Sequence, residues 1–215
     1  MQPNFNPFLA TEQDNFNYTH MKKFNLVLLL VAYFLGLTPN LQAQKDTSAT
    51  ALLLIDIQYF YFAGGRSELY QPNEAALNAK RLLDQFRASG KLVVHVRHEA
   101  KEGSEIHETV KPLSNEKVFT KTEVNCFNGT DLLQFLRDKG IKKIVICGMQ
   151  TQMCVEAAVR AAYDYGFECV LVQDACASRD LRFGEYIIKA TDVHYSTLST
   201  LKSYGKVLST DEFLK

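Results

Sequence analysis

The sequence has no surplus of charge of either sign. Twenty-four Lys and Arg balance twenty-four Asp and Glu across 215 residues, so no global field draws the chain to nucleic acid or to an anionic membrane. Cysteine is scarce. Five residues are too few for a disulfide scaffold, and an odd number leaves at least one thiol without a partner in the chain. No apolar run reaches the roughly 20 residues that a membrane span needs. There is no internal repeat and no low-complexity tract. Collagen, coiled coil, disordered tail and polytopic membrane protein are all excluded. What is present is ordinary globular composition, 47% hydrophobic and 22% charged, at a length that suits one domain with its own core.

The first 43 residues read as an extension and an address. Residues 1–20 are polar. Met21-Lys22-Lys23 then precedes a mostly apolar run from Leu26 to Leu37, and the small residue Ala43 follows Leu41-Gln42. A positive start, a short apolar stretch and a small residue predict a secretory signal cut after Ala43. The expected product is a domain over 44–215, exported to the periplasm or secreted, with no membrane attachment after cleavage. Met21 is an alternative start, and an N-terminal helix of the domain is the alternative reading of the apolar run.

From residue 51 onward, apolar runs alternate with amphipathic segments. Ala51–Ile55, Leu92–Val96, Lys117–Thr120, Lys143–Cys147, Glu168–Val172 and Lys206–Leu208 read as strands, the first two of them buried. Pro72–Ser89, Asp131–Lys139 (introduced by Thr130), Gln152–Tyr165 and residues 183–203 read as helices, the first three closed by Gly90, Gly140 and Gly166. Residues 97–116 read as a long polar loop. This alternation predicts an α/β fold: a three-layer α/β/α Rossmann-like domain around a six-stranded parallel sheet. In such sheets the site lies beyond the carboxyl ends of the strands. That rule directs attention to Asp56, the segment after Val96, Lys121, the turn after Cys147, and Asp174.

Three of those strand ends carry reactive groups. Asp56 ends a run of five apolar residues, where a carboxylate is costly unless paired. Lys121 ends another strand. In Gly148-Met-Gln-Thr-Gln-Met-Cys154, Thr151 is the expected N-cap, which places Cys154 at the third helical position. A thiol there feels the positive helix end, which lowers its pKa, and amides of the same turn can receive an oxyanion. A base, a cation and a nucleophile at one sheet edge suit acyl transfer. Each also has a plain reading: a small core cysteine, a capping aspartate, a solvated lysine. Spacing alone leaves the two readings level.

The blocks Leu-Leu-Ile-Asp56-Ile-Gln58, Lys121-Thr-Glu-Val-Asn-Cys-Phe127 with Gly129-Thr-Asp-Leu132, Gly148-Met-Gln-Thr-Gln-Met-Cys154-Val155 and Val172-Gln-Asp174-Ala175 resemble the isochorismatase-like cysteine hydrolase family, in order and spacing, over nearly all of the chain after Leu52. The resemblance implies a catalytic triad of Asp56, Lys121 and Cys154. It also implies a cis peptide at Met149–Gln150 that aims the Gln150 and Cys154 amides at the substrate oxygen. The implied reaction is cleavage of a C–N bond in a small amide through a thioester. Members that split the isochorismate enol ether typically lack the cysteine, so amide hydrolysis is favoured, with isochorismatase-type hydrolysis as the alternative. Metal-binding nicotinamidases of the family carry an Asp-x-His between the first two blocks. None stands between Asp56 and Lys121, and no metal, nucleotide or flavin is expected.

Gln58, Tyr61, His98 and Phe127 are the substrate-binding candidates near this triad. His95, His98, Glu99 and His107 fit no standard metal spacing. Cys126 stands where relatives usually have a small residue, close enough in the pattern for a disulfide with Cys154 to be an open question. Tyr59-Phe60-Tyr61-Phe62 suits a pocket wall, a subunit interface or core packing. Asp174 is expected to order the sheet edge, and Cys147 and Cys169 to be buried thiols. Relatives often form dimers or tetramers, which makes a homo-oligomer the expected assembly. Two other classes compete with the hydrolase. One is an exported binding or scaffold protein of the same fold, against which the complete triad speaks. The other is a receiver domain, which needs an acidic cluster and a phosphorylated aspartate where this chain has Lys121.

Overall fold

A computed structural model describes residues 49–215, and the expected signal segment lies outside them. The described residues belong to one compact unit. Six parallel strands make the sheet: β1 (Thr50–Ile55), β2 (Leu92–His98), β3 (Lys117–Lys121), β4 (Lys143–Met149), β5 (Glu168–Ala177) and, after the hairpin strands β6 (Leu181–Phe183) and β7 (Tyr186–Ile188), β8 (Lys206–Leu208). Their spatial order is β3-β2-β1-β4-β5-β8. Helices α1 (Pro72–Ala88), α2 (Leu132–Asp138), α3 (Glu156–Asp164), α4 (Ala190–Leu201) and α5 (Thr210–Leu214) complete the chain.

The central strand shows why the sheet is buried on both faces. Ala51, Leu52, Leu53, Leu54 and Ile55 are all essentially inaccessible. An uninterrupted apolar run is stable only where helices cover both sides. Helix α1 meets the sheet through Ala76, Ala79, Leu82, Leu83 and Phe86, spaced three and four apart. The winding reverses at β1, with β2 and β3 on one side and β4 and β5 on the other. Such a reversal opens a crevice at the carboxyl ends of the two strands that flank it. Gly148 permits the close approach there. Its φ is +134°, and a Cβ would collide with the carbonyl oxygen of Ile55.

Three expectations need correction. The segment 183–203 does not start as a helix. Leu181–Phe183 and Tyr186–Ile188 pair as an antiparallel hairpin across Gly184-Glu185, and α4 begins only at Ala190. Two short runs rich in large apolar residues around a two-residue turn with Gly at positive φ are a hairpin signal, which the helical period of the following residues obscured. Strand β5 runs five residues past Val172, with a register shift against β4 between Ile146 and Gly148. The helix after β4 begins at Glu156, because Thr151–Val155 form a wider π-helical turn.

The loop after β2 is anchored rather than free. Glu116 at its end accepts from Arg87 of α1 at 2.7 and 2.8 Å and from the Leu113 amide at 2.9 Å, and it lies 2.9 Å from His95 Nε2. Although burial opposes ionisation, these partners bring the Glu116 carboxyl down to about 2 from an ordinary 4.5. Its stabilisation is therefore complete above about pH 4.5 and is lost as pH falls toward 2. Glu116→Gln should cost about 2–3 kcal/mol at neutral pH in urea melts, and the gap to wild type should close as the solution is acidified. A gap of constant size would show that the carboxylate charge contributes nothing.

Candidate active site

Asp56 occupies the first position past β1, with φ at +51°. A non-glycine residue held there is strained by its surroundings, a feature concentrated at functional sites. Its backbone is tied across the crevice: the Asp56 amide donates to the Val96 carbonyl. The Asp56 side chain is completely buried, and Oδ2 lies 2.8 Å from Nζ of Lys121, which is equally buried. Lys121 ends β3, two strands away from β1, so its aliphatic stem spans the end of β2 to reach the carboxylate.

The ammonium has three neighbours. Besides Asp56, it donates to Cys154 Sγ at 3.3 Å and stands 3.2 Å from His98 Nδ1. Burial works against charge on Lys121, but Asp56 and the Cys154 sulfur outweigh it and hold the pKa above its ordinary value. Burial raises the Asp56 pKa, and Lys121 opposes that rise. The Cys154 thiol is pushed up to about 12, first by burial and then by the Asp56 charge, with Lys121 offsetting part of it. The expectation of a lowered thiol pKa is thus corrected. A positive helix end is a weak, local influence, and burial, with the Asp56 charge after it, overrides it. These shifts favour the thiol form of Cys154 and the ammonium form of Lys121.

The turn that carries Cys154 is built differently from the expected cap. Gln150, not Thr151, caps it: the Gln150 carbonyl receives the amides of Met153 and Val155. Thr151 Oγ1 instead donates to the Ala177 carbonyl at 3.1 Å and sits 2.9 Å from His194 Nδ1 on α4. The Met149–Gln150 peptide is cis. Gln150 Nε2 donates to the Tyr61 hydroxyl at 3.5 Å, Gln152 Nε2 donates to Gln150 Oε1 at 2.8 Å, and Ser178 Oγ donates to Gln152 Oε1 at 2.7 Å. This chain of side chains fixes the turn from both sides. His194, Gln152 and Ser178 were invisible in the sequence, because their partners lie on other elements.

The substrate-binding candidates divide. Tyr61 is buried and carries its hydroxyl to Gln150, with Asp56 and Cys154 close enough to raise its pKa further after burial has done so. His98 is half-buried and touches Lys121. Gln58 does not face a ligand. It is fully buried, its amide nitrogen donates to the carbonyls of His98 and Ser104 at 2.9 and 2.7 Å, and its oxygen accepts the His98 amide at 2.7 Å. Those bonds use both of its N–H donors. The Phe127 ring packs against Tyr165 and Phe167, with centroids 5.4 and 6.5 Å away.

Other residues fall into place around this centre. Cys126 is a buried free thiol, as are Cys147, Cys154, Cys169 and Cys176 in their own surroundings. Asp56, Lys121 and Cys154 all act on the Cys126 thiol electrostatically. Asp174 accepts from the amide and hydroxyl of Thr210, both at 2.8 Å, so it ties α5 to the sheet edge. Of the four aromatics after Gln58, Phe60, Tyr61 and Phe62 are buried and Tyr59 is exposed. His95 pairs with Glu116, His107 stacks on Phe62 with centroids 3.7 Å apart, and His98 faces Lys121. Among the described residues no three His, Cys, Asp or Glu converge as a metal site.

Residues 50–212 match the Isochorismatase domain family. The chain belongs to this family. It is 43% identical over 178 residues to the isochorismatase family protein YddQ of Bacillus subtilis, covering 77% of this chain and 99% of that one. A solved isochorismatase from Pseudomonas putida superposes with a TM-score of 0.73 at 32% identity, covering 77% of this chain and 90% of that chain. The ureidoacrylate amidohydrolase RutB of Acinetobacter baylyi is 28% identical over 178 residues, covering 78% of this chain and 66% of that protein. The chain is an isochorismatase-family hydrolase.

Removing one partner of a buried ion pair strands the other. Lys121→Met should therefore destabilise the fold by about 3–5 kcal/mol, and the double variant Asp56→Asn, Lys121→Met should regain most of that in the same chemical melts. A double variant no more stable than Lys121→Met would show that the pair is not coupled.

Proposed function

We propose that the protein hydrolyses a C–N bond of a small amide, with Cys154 as nucleophile, Asp56 as general base and acid, and Lys121 as the fixed cation. One observation carries this reading: a thiol, a carboxylate and an ammonium stand in mutual contact, buried, at the sheet's winding reversal. A buried ion pair contributes little net stability compared with apolar packing. Its retention beside a thiol suits catalysis better than architecture.

In the proposed reaction Asp56 takes the thiol proton while sulfur adds to the amide carbonyl carbon. The same carboxylate that disfavours a resting thiolate is the acceptor that makes attack possible. The backbone amides of Gln150 and Cys154 receive the negative oxygen. The C–N bond then breaks, and the amine departs with the proton held by Asp56. Water adds to the resulting thioester, Asp56 takes its proton, and the C–S bond breaks to release the acid and restore the thiol. Lys121 keeps its charge throughout, so it steadies whichever of Asp56 and Cys154 is negative. The amidohydrolase activity named for RutB lends this choice of bond its family support. The presence of Cys154 supports it over enol-ether cleavage.

A panel of small amides, followed by ammonia release, tests the reading. Cys154→Ala and Cys154→Ser should each lose at least about a thousandfold in kcat while retaining the wild-type melting curve. Asp56→Asn should lose about a hundred- to ten-thousandfold. Turnover by Cys154→Ala near the wild-type rate would overturn the covalent mechanism.

A further inference from the structure

The geometry points to His98 as a specificity residue: we propose that its Nε2–H is a fixed, uncharged donor that reads an oxygen acceptor on the part of the substrate extending from Cys154 across Asp56 toward β2. The inference rests on the hydrolase reading above and adds the feature of the amide that the site selects.

Lys121 fixes the chemistry of the ring. An ammonium has donors and no acceptor, so the 3.2 Å contact makes Nδ1 of His98 the acceptor. Burial, and after it the Lys121 charge, lower the His98 pKa, which keeps the imidazole neutral. A neutral ring with a bare Nδ1 carries its proton on Nε2. The two nitrogens point to different sides of the ring, so Nε2–H is turned away from Lys121, and no residue of the described chain accepts from it. The side chain is half-buried. Nε2 is not among the fully buried unpartnered side-chain atoms of the described residues, so this donor is accessible.

The backbone of His98 is held as firmly as its ring. Gln58 donates to the His98 carbonyl at 2.9 Å and accepts from the His98 amide at 2.7 Å, and His98 stands in register with Lys121 across β2 and β3. A solvated surface histidine has no need of a buried glutamine devoted to it. The topology sets the direction. Cys154 and the amides proposed for the oxyanion follow β4, Asp56 follows β1, and His98 ends β2. Cys154 Sγ and His98 Nδ1 share one ammonium, so they are no farther apart than the sum of two hydrogen-bond distances. Amides bearing a second oxygen in that reach are the substrate class this arrangement selects, in preference to plain aliphatic amides.

Alkylation of Cys154 tests this without requiring turnover. Iodoacetamide brings a carbonyl oxygen within reach of the sulfur, and allyl iodide brings none. The ratio of their rates at Cys154, read by peptide mass spectrometry and normalised to free cysteine, should favour iodoacetamide in the wild type. His98→Asn keeps an acceptor near the Nδ1 position and loses the outer donor, so the ratio should fall about tenfold, the worth of one hydrogen bond. His98→Gln places an amide N–H near the Nε2 position and should restore most of it. An unchanged ratio in His98→Asn would overturn the proposal. So would equal slowing with both reagents, most severe in His98→Gln, which would make His98 a positioning residue for Lys121. The hydrolase reading fails separately, through absence of ammonia release, and leaves this ratio interpretable.

Discussion

One buried ammonium organises the functional end of this molecule. Lys121 Nζ stands within contact of a carboxylate, a sulfur and an imidazole nitrogen, each supplied by a different strand end or turn. Burying a cation is expensive unless its partners are all in place. The winding reversal at β1, the close approach allowed by Gly148 and the anchored turn after β4 can be understood as what holds those partners where one side chain reaches all three.

The same constraint explains the electrostatics. A dry pocket raises the energy of every charge it holds, so Asp56 and Lys121 are tolerated as a pair, and a third charge on Cys154 is not favoured until a proton moves. The resting thiol is therefore compatible with a nucleophilic role: its proton acceptor is built in, and transfer leaves the pocket with the same net charge.

Much of this was legible in the residues. Continuous apolar runs such as Ala51–Ile55 marked the buried strands, and polar residues at their ends marked Asp56 and Lys121. What stayed hidden depends on contacts between distant segments. Gln58 reads as a site residue because it sits two positions after Asp56, yet its bonds go to the backbone of residues 98 and 104. Phe127 closes the second motif, and nothing local showed that its ring packs with Tyr165 and Phe167. The π-helical turn at Thr151–Val155 has no local signal, because its geometry follows from Gln150 and from Thr151 being drawn to Ala177 and His194. The hairpin at Leu181–Ile188 did have one, in Gly184-Glu185 between Phe183 and Tyr186, overshadowed by the helical period that follows it.

The protonation state of the resting triad is the central claim. The most direct measurement is the ultraviolet absorbance of the Cys154 thiolate, taken as the difference between the protein and its Cys154→Ser variant from neutral to alkaline pH. A resting thiol with a pKa of about 12 predicts no thiolate signal at neutral pH, and a rise only on the alkaline side that moves to lower pH in Asp56→Asn. A thiolate already present at neutral pH in the wild type would contradict the account.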